Sequence, residues 1–526
     1  STMDVSKMNE NYIEEGITRN IFMQGEALLN YRFSIREKHN FELLLGISMD
    51  KSQLFENDAD ALGTPSDYIH YIQGTTPIKY TKPEWGDPEA KLEEKINLSY
   101  FGRFAYNFKT RYLFEFTLRR DGSSVFGEDQ RWATFPSVAI GWTFSDESFL
   151  KSVNWLSYGK IRASWGQSGV QFDKAYLAHG LMEIGAIYDG ERGMRASGIL
   201  NRKLGWEQSD QYDLGLDMSI GGFNITVDWF KKQTKDLLFQ KQVPKYNGGG
   251  TYWVNQGKLN NTGVELSLTT FPVKEAVTWE TSLNASYVKN EVADLAGDDF
   301  VLTANYSDLG GPMQIMKPGY PMGSFYVYQW KGFDDKGANL YQKADGSLTT
   351  NPTSDDLVVK GQASPKWTVG WNNTVTWKNW TLNVFFNAAT GYDRLNISRF
   401  MAASMTGVSR FVTLRDAYFK GWDHVANKAD ALYPSLTNTD NKSYANSDFW
   451  LEDASFIKLK NISLSYRIPR RVLKFASVQL SVSAQDLFTI TRYKGMDPEV
   501  YTSYDGLDYG AYPIPRTITF GAKFRF

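Results

Sequence analysis

The chain closes on Thr517-Ile518-Thr519-Phe520-Gly521-Ala522-Lys523-Phe524-Arg525-Phe526. In an extended strand successive side chains point to opposite faces. Ile518, Phe520, Ala522, Phe524 and Phe526 therefore share one face, and Thr517, Thr519, Gly521, Lys523 and Arg525 share the other. Such a run, ending on an aromatic residue, is long for a sandwich strand and suits a tilted strand that crosses a bilayer. The same rhythm recurs upstream. Val478, Leu480 and Val482 alternate with Gln479, Ser481 and Ser483; Ile462, Leu464 and Tyr466 alternate with Asn461, Ser463 and Ser465; Leu382 and Val384 flank Asn383. With the apolar set in lipid and the polar set facing a lumen, every backbone group at membrane depth has to be paired. The expected fold is therefore all-β, an antiparallel transmembrane β-barrel.

The connections sort by length. Tight turns fall near 34–38, 108–111, 221–222, 272–275, 378–379 and 469–474, and long polar loops near 51–93, 168–203, 241–251, 334–362, 391–449 and 492–513. Short turns at one rim and long loops at the other mark an outer-membrane barrel. The pattern gives about seventeen strands, with segments 291–299 and 307–322 the hardest to place. Single-chain bacterial barrels carry an even number. An odd count puts the first strand's start at the long-loop rim and implies that the plug and first strands of the barrel are absent from residues 1–526. The opening residues show no basic stretch followed by an apolar one, so the chain is expected to be mature or truncated.

Composition agrees. Aromatic residues make up 15% and the formal net charge is −2, with no basic tract that would suit a nucleic acid. The chain has no cysteine, which removes disulfides, thiol catalysis and cysteine metal sites. A mean hydropathy of −0.42 fits a barrel whose lumen and loops are polar. No apolar run is long enough for a transmembrane helix.

Little points to chemistry. The four histidines, His39, His70, His179 and His424, are far apart. Gly248-Gly249-Gly250 opens no helix, so it reads as a turn. Asp334 to Asn339 and Asp345-Gly346 lack EF-hand spacing and read as solvated turns. No catalytic set, metal site or cofactor is expected. Aromatic residues crowd the long loops, where rings offer apolar faces and nearby polar groups can bond hydroxyls. Trp85, Tyr188, Tyr246, Trp253, Tyr392 and Trp422 are the candidates for substrate contact, with an interfacial girdle or packing against a lid as the alternative for each. Lys523, Arg525, Arg103 and Arg119 are expected to face the lumen, where they could pair with a plug.

An ordered series of segments resembles the SusC-like TonB-dependent transporters of Bacteroidetes. It runs through Arg119-Arg120-Asp121-Gly122-Ser123-Ser124-Val125-Phe126, Lys160-Ile161-Arg162-Ala163-Ser164-Trp165-Gly166, Asn260-Asn261-Thr262-Gly263-Val264-Glu265 and Ala363-Ser364-Pro365-Lys366. It continues through Leu451-Glu452-Asp453-Ala454-Ser455-Phe456, Leu459-Lys460-Asn461-Ile462 and Tyr493-Lys494-Gly495-Met496-Asp497-Pro498-Glu499 to the closing strand. The resemblance implies an outer-membrane barrel of about 22 strands, amid lipid and lipopolysaccharide, with an N-terminal plug-bearing portion that this chain lacks. It also implies a SusD-like surface lipoprotein as lid, the TonB-ExbB-ExbD complex as energy source, and no enzymatic activity. The cargo it implies is an oligosaccharide, with an oligopeptide as competitor. A passive porin of about sixteen strands is the alternative if the chain is whole.

Overall fold

The computed structural model describes residues 12–62, 89–172, 174–188, 191–196, 198–243, 251–306, 309, 311–403, 414–435, 443–469, 471–473, 476–499 and 506–526. Its wall is a fifteen-stranded antiparallel sheet in which each strand pairs with the next along the chain. The strands are β1 (Tyr12–Ile35), β2 (His39–Leu62), β3 (Glu89–Phe108), β4 (Tyr112–Ser123), β5 (Trp132–Trp142), β6 (Leu156–Val170), β7 (Glu207–Ile220) and β8 (Phe223–Lys235). They continue with β9 (Lys258–Lys274), β10 (Val277–Asp294), β11 (Trp367–Trp377), β12 (Trp380–Thr390), β13 (Phe456–Ile468), β14 (Ser477–Thr491) and β15 (Thr517–Arg525).

Register lines the apolar residues up across the wall. Phe104 lies opposite Phe116, Phe116 opposite Val138, Val138 opposite Trp165, and Trp165 opposite Tyr212. The row resumes as Leu214, Trp229, Val264, Tyr287 and Trp367 on successive strands. It ends as Leu382, Leu464, Val482 and Phe520. Phe116, Leu214, Trp229, Trp367 and Phe520 are all exposed, as residues that meet lipid must be in the absence of a bilayer.

The opposite face is polar and internally matched. Glu42 takes Arg103 at 2.6 Å and Arg32 at 3.1 Å, and Arg162 bridges Asp217 at 3.1 Å and Asp228 at 2.6 Å. Arg119 holds Asp121 at 2.7 Å and the Ser99 hydroxyl at 2.9 Å. Arg103 and Arg119 thus find their partners within the wall itself.

The strand count is two lower than the alternation implies. After β10 the chain leaves the wall. Val301–Tyr306, Gly311–Met316 and Ser324–Phe333 form a separate sheet with three shorter strands. A period of two identifies a strand but not whether its apolar face meets lipid or another part of the protein. Here it meets protein: Met313, Phe325 and Val327 pack with Leu395, Phe400 and Trp450 in a core that lies wholly among the loops. The parity is unchanged, since Tyr12 pairs with Leu62 at the long-loop rim while Arg525 pairs with Ser477 at the other. The loop expected at 51–93 is also shorter. β2 and β3 stay paired as far as Asp58 opposite Glu89. Beyond the bilayer both faces of a strand meet water, so pairing persists after the alternation has faded.

Short turns keep the other rim tight. Arg36 and Glu37, Lys109 and Thr110, and Gly221 and Gly222 all have positive φ. At Gly221-Gly222 this is the two-residue turn whose twist matches that of its flanking strands.

Candidate functional site

Four segments converge at the loop end of the wall. They are 363–368 leading into β11, 387–394 leaving β12, the start of β13, and the last long loop. They enclose a cavity of about 290 Å³ whose lining includes Thr368, Asn387, Tyr392, Arg394, Phe456 and Glu499. β12 and β13 bring Asn387 opposite Lys458 and Ala389 opposite Phe456.

The last loop is fastened to the wall by charge. Lys458 is only 1% exposed. Its Nζ lies 3.0 and 2.9 Å from the two Asp497 carboxylate oxygens and 2.7 Å from Glu499 Oε2. Lys460 Nζ reaches the same Glu499 Oε2 at 2.7 Å and Asp486 at 3.1 Å. An ammonium removed from water needs such partners, because burying it unpaired costs several kcal/mol. Burial alone would raise the Glu499 pKa, but the Lys458 and Lys460 ammoniums outweigh it and hold this carboxyl below its usual range.

Further hydrogen bonds and ring contacts complete the joint. The Tyr392 hydroxyl and Arg394 Nε each donate to the Pro498 carbonyl at 3.1 Å, and the Arg394 guanidinium lies over the Tyr392 ring. Tyr493 packs with Tyr392, Ala454 and Phe456, and its hydroxyl donates to Asp508. Burial first, then the Asp508 carboxylate, pushes the Tyr493 phenol up, so it stays protonated. Lys494 N donates to Glu452 at 2.8 Å, and Glu452 also holds Arg399 at 2.6 Å. The arrangement offers a fixed carboxylate, a buried guanidinium and apolar ring faces around a small space. That can bind a polar molecule.

Of the six aromatic residues singled out in the sequence, the three whose side chains are described do not gather here as a group. Tyr392 lines the cavity and is almost wholly buried. Trp253 packs instead against the cluster of Val125, Phe126 and Trp206. Trp422 stands beside Phe333 in the loop sheet, with ring centroids 6.0 Å apart. Trp85 and Tyr246 lie outside the described residues, as does the side chain of Tyr188, whose backbone closes the strand Met182–Tyr188. The charged residues Lys458, Lys460, Arg394 and Glu499 were not among the candidates. A signal was present: Lys458 and Lys460 share one face of a strand, and Asp497 and Glu499 stand two apart with a proline between. Among the described residues no three potential ligands gather as a metal site, and Asp334 Oδ1 accepts from the Lys336 and Ala338 N–H groups and Asp345 Oδ1 from that of Ser347, as turn residues do.

A wall with a lipid-facing apolar row and a polar inner face, topped by loop segments with a core of their own, defines an outer-membrane β-barrel of the receptor kind. Residues 11–487 match the family model for the TonB dependent receptor-like β-barrel, and the chain belongs to that family. It is 32% identical to TonB-dependent receptor P3 of Formosa agariphila, over 95% of this chain and 52% of that protein. It is 30% identical to TonB-dependent receptor SusC of Bacteroides thetaiotaomicron, over 93% of this chain and 50% of that one. The chain thus spans about half the length of the curated relatives it matches. Among solved structures, the RagAB peptide transporter superposes with a TM-score of 0.84 at 26% identity, over 97% of this chain and 56% of that one. The chain is an outer-membrane protein of Gram-negative type.

Proposed function

We propose that residues 1–526 are the C-terminal part of the barrel of an active importer, and that its cargo is an oligosaccharide. The plug is carried by the remaining part of the receptor. A SusD-like lipoprotein covers the loop end, and the TonB-ExbB-ExbD complex supplies the energy. The barrel itself catalyses nothing; it binds and guides. The observation that carries this reading is that the described loop segments at one rim share an apolar core of their own and line a small polar cavity. A passive porin has no need of such a cavity. The resemblance of the segments from Arg119 to Glu499 to the SusC-like transporters, which implies an oligosaccharide, supports the glycan reading.

The likeness to a structure described as a peptide transporter favours a second reading, an oligopeptide cargo. Uptake by the complete receptor separates the two. Cells with the gene intact should take up a fluorescent glycan probe faster than cells lacking it, and disruption of TonB should remove that difference. Uptake of a labelled peptide alone would overturn the glycan reading. A steady ion conductance of the purified receptor in planar bilayers would overturn active import.

A further inference from the structure

The Glu499 carboxylate is used on one side only. Its Oε2 accepts both ammoniums at 2.7 Å, whereas among the described residues Oε1 has a single long contact, from Asn387 Nδ2 at 3.5 Å. An ionised carboxylate can accept about four hydrogen bonds, and a contact of that length is at the limit of one. The residue lines the cavity, and its two lysine clamps fix the carboxylate so that Oε1 is the under-used oxygen. From these contacts we infer that Glu499 is a specificity-determining acceptor, whose Oε1 takes a hydroxyl of one sugar-sized unit of the cargo.

Size and chemistry agree with a single neutral unit. The cavity's 290 Å³ equals the space of about ten waters. That has room for one sugar ring. Arg394, 4% exposed, brings a guanidinium to the lining, Asn387 and Thr368 add groups that can both donate and accept, and Phe456 adds an apolar face. A hydroxylated ring offers donors, acceptors and C–H faces to match. Because the lysines keep Glu499 ionised, it accepts and never donates near neutral pH. Preorganisation by the clamps removes the entropy cost of ordering the acceptor when cargo arrives.

This inference rests on the glycan reading above, and calorimetric titration of the complete receptor tests the two separately. The probes are maltoheptaose, xylohexaose, mannohexaose and, as a peptide, pentaalanine. The native receptor is expected to bind at least one of the glycans. Glu499→Gln should weaken that binding about 10- to 100-fold, the worth of a hydrogen bond to a charged acceptor. Lys460→Met, which leaves Glu499 in place but removes one clamp, should weaken it about threefold. Lys460→Arg should restore it. Heat-modifiable migration of each variant reports the barrel. If Glu499→Gln fails that check, the Lys460 pair decides, and equal binding by Lys460→Met and the native receptor overturns the proposal. Glycan binding unchanged in a folded Glu499→Gln receptor overturns the proposal and leaves glycan import standing. Binding of pentaalanine alone, or of no probe, overturns both.

Discussion

The assignment of faces can be tested by placing one charge on each side of a single strand. Phe116 is four residues above the turn end of β4, where Tyr112 and Trp142 face each other across the wall. At about 3.4 Å per residue and a tilt near 40°, that is roughly 10 Å above the rim, close to the middle of an apolar band about 25 Å tall. Phe116 is 41% exposed and lies in the apolar row between Phe104 and Val138. Arginine there should cost about 2–4 kcal/mol, or roughly 30- to 700-fold in the folding equilibrium. Thr117 is next along the same strand and points to the polar face, opposite Arg103 and Ser137. Arginine at Thr117 should cost less than about 1 kcal/mol, since a lumenal charge stays hydrated. The assay is urea-driven unfolding of the complete receptor in phospholipid vesicles, followed by tryptophan fluorescence and heat-modifiable migration. Equal destabilisation by Phe116→Arg and Thr117→Arg would refute the lipid-facing assignment.

Three further outcomes follow from the loop layer. A carboxyl held below its usual pKa stabilises above its unfolded value and loses that contribution as pH falls through the folded one. Protection of the last loop from limited proteolysis should therefore hold from pH 7 down to the ordinary glutamate value near 4.3, and fail only below it, as Glu499 protonates; loss of protection at pH 6 would contradict the clamp. Gly337 has φ near 79°, and a Cβ there would sit 2.5 Å from the Trp422 ring, so Gly337→Ala should destabilise the loop layer by more than about 1 kcal/mol in hydrogen exchange. Arg399 lies over Tyr433, Phe449 and Trp450 and pairs with Glu452, whose side chain is mostly buried. Arg399→Ala, which strands that carboxylate, should cost about 3–5 kcal/mol of loop-layer stability by the same measurement.

The wall was legible because lipid imposes a strict rule on residues such as Ile518, Phe520 and Phe524. Each must be apolar, and each neighbour is free to be polar, so the pattern survives in a single sequence. Met313, Phe325 and Val327 are apolar for another reason, namely burial against Leu395 and Trp450, and the chain carries no local mark of which sheet a strand joins. The cavity was harder still. Its members come from positions as distant as Thr368 and Glu499, and the pairing of Lys458 with Asp497 is a fact of three-dimensional folding, not of spacing. Aromatic crowding led toward Tyr392 but equally toward Trp253 and Trp422, because a ring is as useful in a core as against a ligand.

The core formed by Met313, Phe325, Leu395 and Trp450 belongs to the loops and owes nothing to the lipid-facing row. The polypeptide therefore answers to two solvents at once, through two sets of residues that barely overlap. Substitutions can accumulate in the upper set while insertion into the bilayer goes undisturbed. On the import reading proposed above, one scaffold can in this way be turned to new cargo without having to solve the problem of crossing the membrane afresh.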